Sequence, residues 1–327
     1  MKPSLFSSIL QYTVGMTPWV IAFPERLDLF LSREGRMPSR ARAQAALEAG
    51  RVRVNGSVMT KASLRLKEGD KVELLPDTTD VPDTSIPVID LHLPILYEDD
   101  SCLVIDKPAG IAVHPGAGMK EDEATILSGI AFLFQERSLS FSAAAVLVHR
   151  LDRETTGCLL IAKSPEAHQV LQEQFEHRSV QKFYLAIVAG VPSHAAAVID
   201  ASIGRSTTDR TKMTIHGSGK SRTAQTTYNT LSSSSEAALL CCELHTGRTH
   251  QIRVHLSSVG HPILGDPTYV STLSEKMARL YGIEHLCLHA WKLRFTSPSA
   301  SKKQEVVSAL PPVFLETLKQ LGISRPD

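Results

Sequence analysis

The chain has 327 residues, 43% hydrophobic and 6% aromatic, enough to bury a full-size core and a smaller one besides. No run reaches the roughly eighteen apolar residues needed to span a bilayer; the five cysteines (Cys102, Cys158, Cys241, Cys242, Cys287) are odd in number, lack C-x-x-C spacing and include an adjacent pair, which argues against a disulfide framework or a zinc knuckle. The net charge of +1 supplies no overall pull toward nucleic acid, and the cysteine usage fits a reducing compartment, so a cytoplasmic, membrane-free protein is expected.

Residues 1–25 read as an N-terminal extension. Lys2 is the one charge before Glu25, and the apolar stretch is broken by Gly15 and Pro18 without a clear cleavage site, which speaks against a signal peptide and leaves Met16 as a candidate alternative start. From 26 to 33 (RLDLFLSR) apolar and charged residues alternate at helical spacing. Ser39 is placed to cap a second helix that runs to Ala49 and stops at Gly50. RVRV and SVMT then flank Asn55-Gly56, the dipeptide of a tight hairpin, and Gly69-Asp70 turns into a last strand, KVELL. Within 26–75, eleven Lys/Arg stand against six Asp/Glu, a local excess of five positive charges. Such a patch on a neutral chain is either a solvated helix face or the footprint of an RNA contact.

Pro76, Pro82, Pro87 and Pro94 punctuate a stretch rich in Asp and Thr, so 76–93 reads as a linker. Beyond it, residues 94–327 mix short apolar runs with helices and show no regular βα repeat. SCLVIDKP, AVLV (145–148), GCLLIAK and KFYLAIVAG suit buried strands. Ser164-Pro165 opens a helix over 165–178, and a second over 249–259 places Ile252, Leu256 and Val259 on one face with Gly260 past its end. The pattern predicts an α+β fold: a small αβ domain, then a larger, mainly antiparallel mixed sheet.

The segment His149-Arg150-Leu151-Asp152-Arg153-Glu154-Thr155-Thr156-Gly157 lies between two apolar runs, where a polar loop is held by rigid neighbours. Alone, Asp152 between arginines reads as a turn-stabilising ion pair, Tyr184 in its apolar run as a core residue, and Arg248 as a helix cap or phosphate ligand. The histidines at 245, 250, 255 and 261 invite a metal. Yet His250 and His255 stand about 140° apart around a helix and cannot share a face as H-E-x-x-H ligands do, so no metal is expected. Gly219-Lys220-Ser221 lacks the earlier glycine of a phosphate loop, with Thr214 in its place. A zinc base deaminase would need H-x-E followed by P-C-x-x-C, and neither is present.

Taken in order, ILYEDDSCLVIDKPAGIAVHPGAG, the Asp152 segment, KFYLAIVAG, HTGRTHQIRVHLSSVGHPILGDPTY and LCLHAWKLRFTSP closely resemble the RluA-type pseudouridine synthases over residues 94–312. RLDLFLS, SRARAQAALEAGRVRVNG and LRLKEGDKVEL resemble the S4 RNA-binding domain. The joint resemblance implies an isomerase without cofactor that acts on structured RNA, with large-subunit ribosomal RNA favoured over transfer RNA, and a monomer is expected. It implies Asp152 as the essential carboxylate with Arg248 as its partner, and Tyr184 as the active-site tyrosine. Arg150 would fill the space of an extruded base, and Arg40, Arg42, Arg51 and Arg53 would meet phosphates, which suit guanidinium forks. The chemistry needs an ionised carboxylate in a water-poor pocket, and desolvation opposes that charge unless a cation stands beside it. The chain departs from the family at Glu154, where aspartate is common, and at Thr156, where serine is. The stretch 119–145 also matches the family less well. Two other functions stay open at this point: a catalytically silent RNA-binding or ribosome-assembly protein, and a hydrolase that liberates free uracil.

Overall fold

The computed structural model describes residues 18–33, 36–37, 40–75, 86–116, 119–120, 123–209, 212–215, 217 and 221–325. The chain forms two compact units, Met1–Pro82 and Asp83–Asp327.

In the first unit, β1 (Trp19–Val20) precedes α1 (Leu27–Leu31) and α2 (Arg40–Glu48), followed by β2 (Val52–Val54), β3 (Ser57–Val58) and β4 (Lys71–Leu74). The strands form an antiparallel sheet in the order β1-β4-β2-β3. The expected hairpin turn is present, with Asn55 at φ 52° and Gly56 at φ 80°. Side chains alternate across a strand, so Val52 and Val54 enter the core beside Leu27, Leu31, Leu47 and Val72 while Arg51 and Arg53 belong to the opposite face. Ser39, the expected cap of α2, lies outside the described residues. Asp28 is buried and shared by two arginines, Arg26 at 3.0 Å and Arg40 at 2.6 Å, which ties the two helices together. The hydrogen bonds from Arg26 outweigh burial and hold the Asp28 carboxyl below its ordinary range.

The second unit begins with β5 (Ile95–Glu98), β6 (Cys102–Lys107), α3 (Ile126–Glu136), β7 (Thr156–Ala162), α4 (Pro165–Glu176) and β8 (Gln181–Ala189). There follow β9 (Ala196–Asp200), β10 (Gly204–Arg205), β11 (Met213–Thr214), β12 (Gln225–Ser233) and β13 (Ala237–Leu244). It closes with α5 (Gln251–Ser258), α6 (Thr272–Tyr281), β14 (Leu288–Thr296), β15 (Lys303–Val307) and α7 (Pro312–Gln320). The main sheet runs β5-β6-β7-β14-β8-β13-β12-β9, with β15 also on β14, and β10 pairs with β11 apart from it. Among the described residues every pairing of these strands is antiparallel except β7 with β14.

The near-continuous apolar runs of β6 and β7 arise because both faces of the sheet are covered. Leu103, Ile105, Leu159 and Ile161 pack into the core under α3, while Cys102, Val104, Cys158, Leu160 and Ala162 face the opposite cluster with α4. The parallel join depends on Gly157, at φ +105°, because a Cβ there would sit 2.3 Å from the Ala290 carbonyl oxygen. This crossing fixes the start of β7, and with it the end of the polar loop that carries Asp152.

Three local expectations change in the structure. AVLV forms no strand; within it only Leu147 makes a bridge, to Ile161. The polar segment that follows it, from His149, draws the chain into the Asp152 loop. The helix opened by Ser164 ends at Glu176, with Arg178 in the left-handed region at φ 57°. On α5, Ile252 and Leu256 are buried, but Val259 is the C-cap and is 44% exposed. Of the stretch read as a linker, 76–85 lie outside the described residues. Within 86–93, Ile86, Leu91 and Leu93 pack onto the core, with Leu91 and Leu93 against Gly129 of α3.

Candidate active site

Asp152 sits on the loop before β7, and the loop is bolted down from beneath. The Lys107 ammonium, 1% exposed, donates to the carbonyls of Pro108 at 2.6 Å and Arg153 at 2.9 Å. Burial lowers its pKa to about 8, against the pull of the Glu154 and Asp152 charges. Gly110 N also donates to Arg153 O at 3.0 Å, and Arg153 returns a bond to Gly110 O at 2.8 Å while pairing with Glu123 at 2.9 Å. His149 accepts the Leu160 amide on Nε2 at 2.9 Å and stacks on Phe175. Burial, with the Lys182 charge adding to it, pushes His149 down to about 3, so it stays a neutral acceptor.

The cation beside Asp152 is Arg253, in the first turn of α5. Its Nη1 donates to Asp152 Oδ2 at 3.1 Å, while Nε and Nη2 grip both oxygens of Asp266 at 2.7 and 2.8 Å. One guanidinium thus joins two carboxylates, a geometry suited to its planar fork. Asp266 is itself pinned, since its Oδ1 accepts the amides of Thr268 and Tyr269. Gly265 permits that turn: at φ +71° it lies so close to His285 that a Cβ would meet the carbonyl oxygen at 1.8 Å. Burial works against the charge of Arg253, but the hydrogen bonds and charge of Asp266, joined by Asp152, outweigh it and raise its pKa above that of an ordinary arginine.

Asp152 and Arg253 line a cavity of about 450 Å³ together with Tyr184, Arg150, Arg248 and His250, within the size range of small-ligand sites. Tyr184, on β8, is 7% exposed; burial, with the Asp152 charge adding to it, raises the phenol's pKa, so it remains protonated. Arg178 and Lys182 also line the cavity. Burial, with Arg178 adding to it, lowers Lys182 to about 8. Arg248 is lowered too, by burial and then by the like charges of Arg222 and Arg178. A set of cations that raise one another's cost of charging is arranged to meet an anion such as a phosphate.

The structure therefore brings Asp152, Tyr184, Arg248 and Arg150 to one cavity, and changes the pairing. Arg248, expected as the partner of Asp152, instead donates Nε to Thr223 O at 3.1 Å. Its backbone N–H goes to Gln251 Oε1 at 3.0 Å, and the Gln251 amide group reaches back to Gln225 O and Thr226 Oγ1. That network bends the Thr246–Arg248 segment toward β12 and assigns Arg248 to the cationic rim. Sequence reasoning missed Arg253, although it lies within HQIRVH, three residues from His250, where the helix expected over 249–259 puts both on one face. The other histidines are held by protein groups: His245 by Thr227, His255 by Thr226 and Ala201, His261 by the Ala189 carbonyl. In the first unit, Arg40 is paired with Asp28 and Arg51 donates to Leu75 O at 3.2 Å, while the Arg42 side chain lies outside the described residues.

Comparison with known proteins places the chain in a family. The RNA pseudouridylate synthase family pattern matches residues 101–258, and the S4 domain pattern matches 25–72. Over 309 residues the chain is 38% identical to ribosomal large subunit pseudouridine synthase D of Nitrosomonas europaea, covering 92% of this chain and 87% of that one. It is 34% identical to the protein of the same name from Pasteurella multocida, covering 91% of each. The solved structure of human RNA pseudouridylate synthase domain containing 4 superposes with a TM-score of 0.59 at 31% identity, covering 72% of this chain and 95% of that one. With an S4 domain ahead of a mixed sheet that holds this carboxylate–arginine cavity, the chain belongs to the RluA-type RNA pseudouridine synthases.

Proposed function

We propose that this chain isomerises uridine to pseudouridine in large-subunit ribosomal RNA, with Asp152 as the essential carboxylate. One observation carries the reading: Asp152 is held by a buried Arg253–Asp266 pair in a cavity also lined by Tyr184 and several cations. The names of the bacterial relatives favour the ribosomal large subunit as the source of substrate.

In the reaction the C1′–N1 bond breaks, the uracil turns, C1′ bonds to C5, the C5 proton leaves and N1 gains one. A stacked uridine offers none of these atoms, so it leaves the helix first, at a cost of a few kcal/mol. Arg150, exposed at the cavity edge, supports a role in occupying the vacated space. Asp152 would act on the base or the sugar, with Arg253 holding it in orientation. The protonated Tyr184 would stack against the ring near C5.

The test is to incubate the chain with ribosomal and transfer RNA lacking modifications and to map pseudouridine. Site-specific pseudouridine in large-subunit RNA is the expected product. Free uracil would mean a hydrolase, and bound but unchanged RNA a silent binding protein.

The S4 unit would bind phosphates. Removing residues 1–75 is expected to weaken RNA binding and to flatten its dependence on salt, by about 0.7–0.9 in log–log slope for each phosphate no longer neutralised. Titrations at several salt concentrations read this directly, and an unchanged slope would assign the unit another purpose.

A further inference from the structure

His250 takes no part in the chemistry assigned to Asp152 and Tyr184, yet it stands at the cavity in a conformation that asymmetric side chains seldom adopt. It is the N-cap of α5 with φ 56° and ψ 22°, and such backbone persists where its surroundings over-determine it, often at active sites. Its Nε2 faces Asp152 Oδ2 at 4.0 Å. Its Nδ1 lies 2.9 Å from the Tyr269 hydroxyl, which in turn accepts the Met213 amide at 2.9 Å. Among the described residues, Nδ1 is the one acceptor within reach of the hydroxyl proton. Nδ1 therefore accepts, and the ring proton resides on Nε2, the nitrogen aimed at the carboxylate.

We infer that His250 is a positioning residue for Asp152, a neutral imidazole whose tautomer Tyr269 sets so that Nε2–H is presented to Oδ2. This rests on the reading of Asp152 as the reactive carboxylate. Both His250 and Arg253 approach Oδ2, while Oδ1 has no protein donor among the described residues. The two cavity residues thus anchor one oxygen and leave the other for the uridine. The 4.0 Å separation exceeds a hydrogen bond, and such contacts tighten when substrate excludes water. Neutrality follows from the surroundings. Burial lowers the pKa of His250, and Arg253 on its own helix and Arg150 on the Asp152 loop add to this. Asp152 and Asp266 oppose it without restoring the ordinary value.

Two measurements on the full chain test the assignment. With ¹⁵N-labelled histidine, NMR at neutral pH should show His250 protonated on Nε2 and bare on Nδ1, and Tyr269→Phe should turn this into a mixture of tautomers. A wild-type His250 that is doubly protonated, or protonated on Nδ1, would overturn the inference. Under single-turnover conditions with saturating RNA, Tyr269→Phe should slow isomerisation about fivefold without changing RNA affinity, and His250→Ala should slow it about 30-fold. His250→Gln, whose amide offers an N–H and has no tautomer to choose, should stay within about threefold of the wild type. Adding Tyr269→Phe to His250→Gln should then cost nothing more. An active wild type with equal Tyr269→Phe penalties in both backgrounds would make Tyr269 a packing residue and sink the His250 assignment alone. A wild type that makes no pseudouridine would sink the reading beneath it.

Discussion

Asp152→Asn is expected to abolish pseudouridine formation while leaving RNA binding largely intact. The amide keeps the size of the carboxylate but cannot serve as an anionic nucleophile or base, so the rate should fall by about 10⁴-fold or more, ~5 kcal/mol of barrier. Binding should persist, because the cations around the cavity are untouched and one negative charge is removed from their midst. The fold should also persist, because Arg253 keeps its two bonds to Asp266. The variant gives up a single charge-assisted hydrogen bond at 3.1 Å to a carboxylate that is 20% exposed, so the cost should be about 1–2 kcal/mol. Tritium release from C5-labelled uridine, read beside an RNA-binding titration and a thermal melt, separates the three quantities. Undiminished release from this variant would end the assignment of Asp152.

Arg253→Lys should be nearly as damaging, for a different reason. An ammonium cannot bridge two carboxylates as a guanidinium fork does, so Asp266, with a side chain 0% exposed, would be left incompletely paired. Breaking a buried pair costs about 3–5 kcal/mol. The melting temperature should fall clearly, and in whatever fraction stays folded the rate should fall about 100-fold, because Asp152 loses its orientation. Arg248→Gln makes the contrast. With one fewer cation on the rim to meet a phosphate, RNA binding should weaken and the salt slope should drop by about one unit. Stability should hardly change, since the Arg248 side chain gives up a single bond to Thr223 O. Single-turnover rates at saturating RNA, compared with dissociation constants, distinguish the two arginines. If Arg248→Gln crippled the chemical step while Arg253→Lys spared it, the pairing seen in the structure would not be the functional one.

Much of the first unit was legible in the residues. RLDLFLSR, the Asn55-Gly56 turn and KVELL became α1, the β2–β3 hairpin and β4, because turn conformation and helical or strand spacing act over a few neighbouring residues. In the second unit, apolar runs located β6, β7 and β8, and Ser164-Pro165 marked the start of α4. AVLV reads as a strand but packs as a loop, because four apolar residues satisfy either equally well. Order along the chain also says little about which strands pair: β14 crosses between β7 and β8, far from both in sequence.

The sequence, through its resemblance to the RluA-type synthases, pointed to Asp152, Tyr184, Arg150 and Arg248 as the side chains to watch, because that resemblance rests on motifs read in order along the chain. Which cation stands beside Asp152 was decided only by tertiary structure, because Arg253 lies 101 residues away and reaches it with a guanidinium held by Asp266. Arg248 and Arg253 differ little as sequence. They differ in where the packing of α5 and the Gln251 network send each guanidinium, one to the rim and one to the carboxylate. Electrostatic partnership depends on separations of a few ångströms in three dimensions, a quantity that spacing along a chain does not encode.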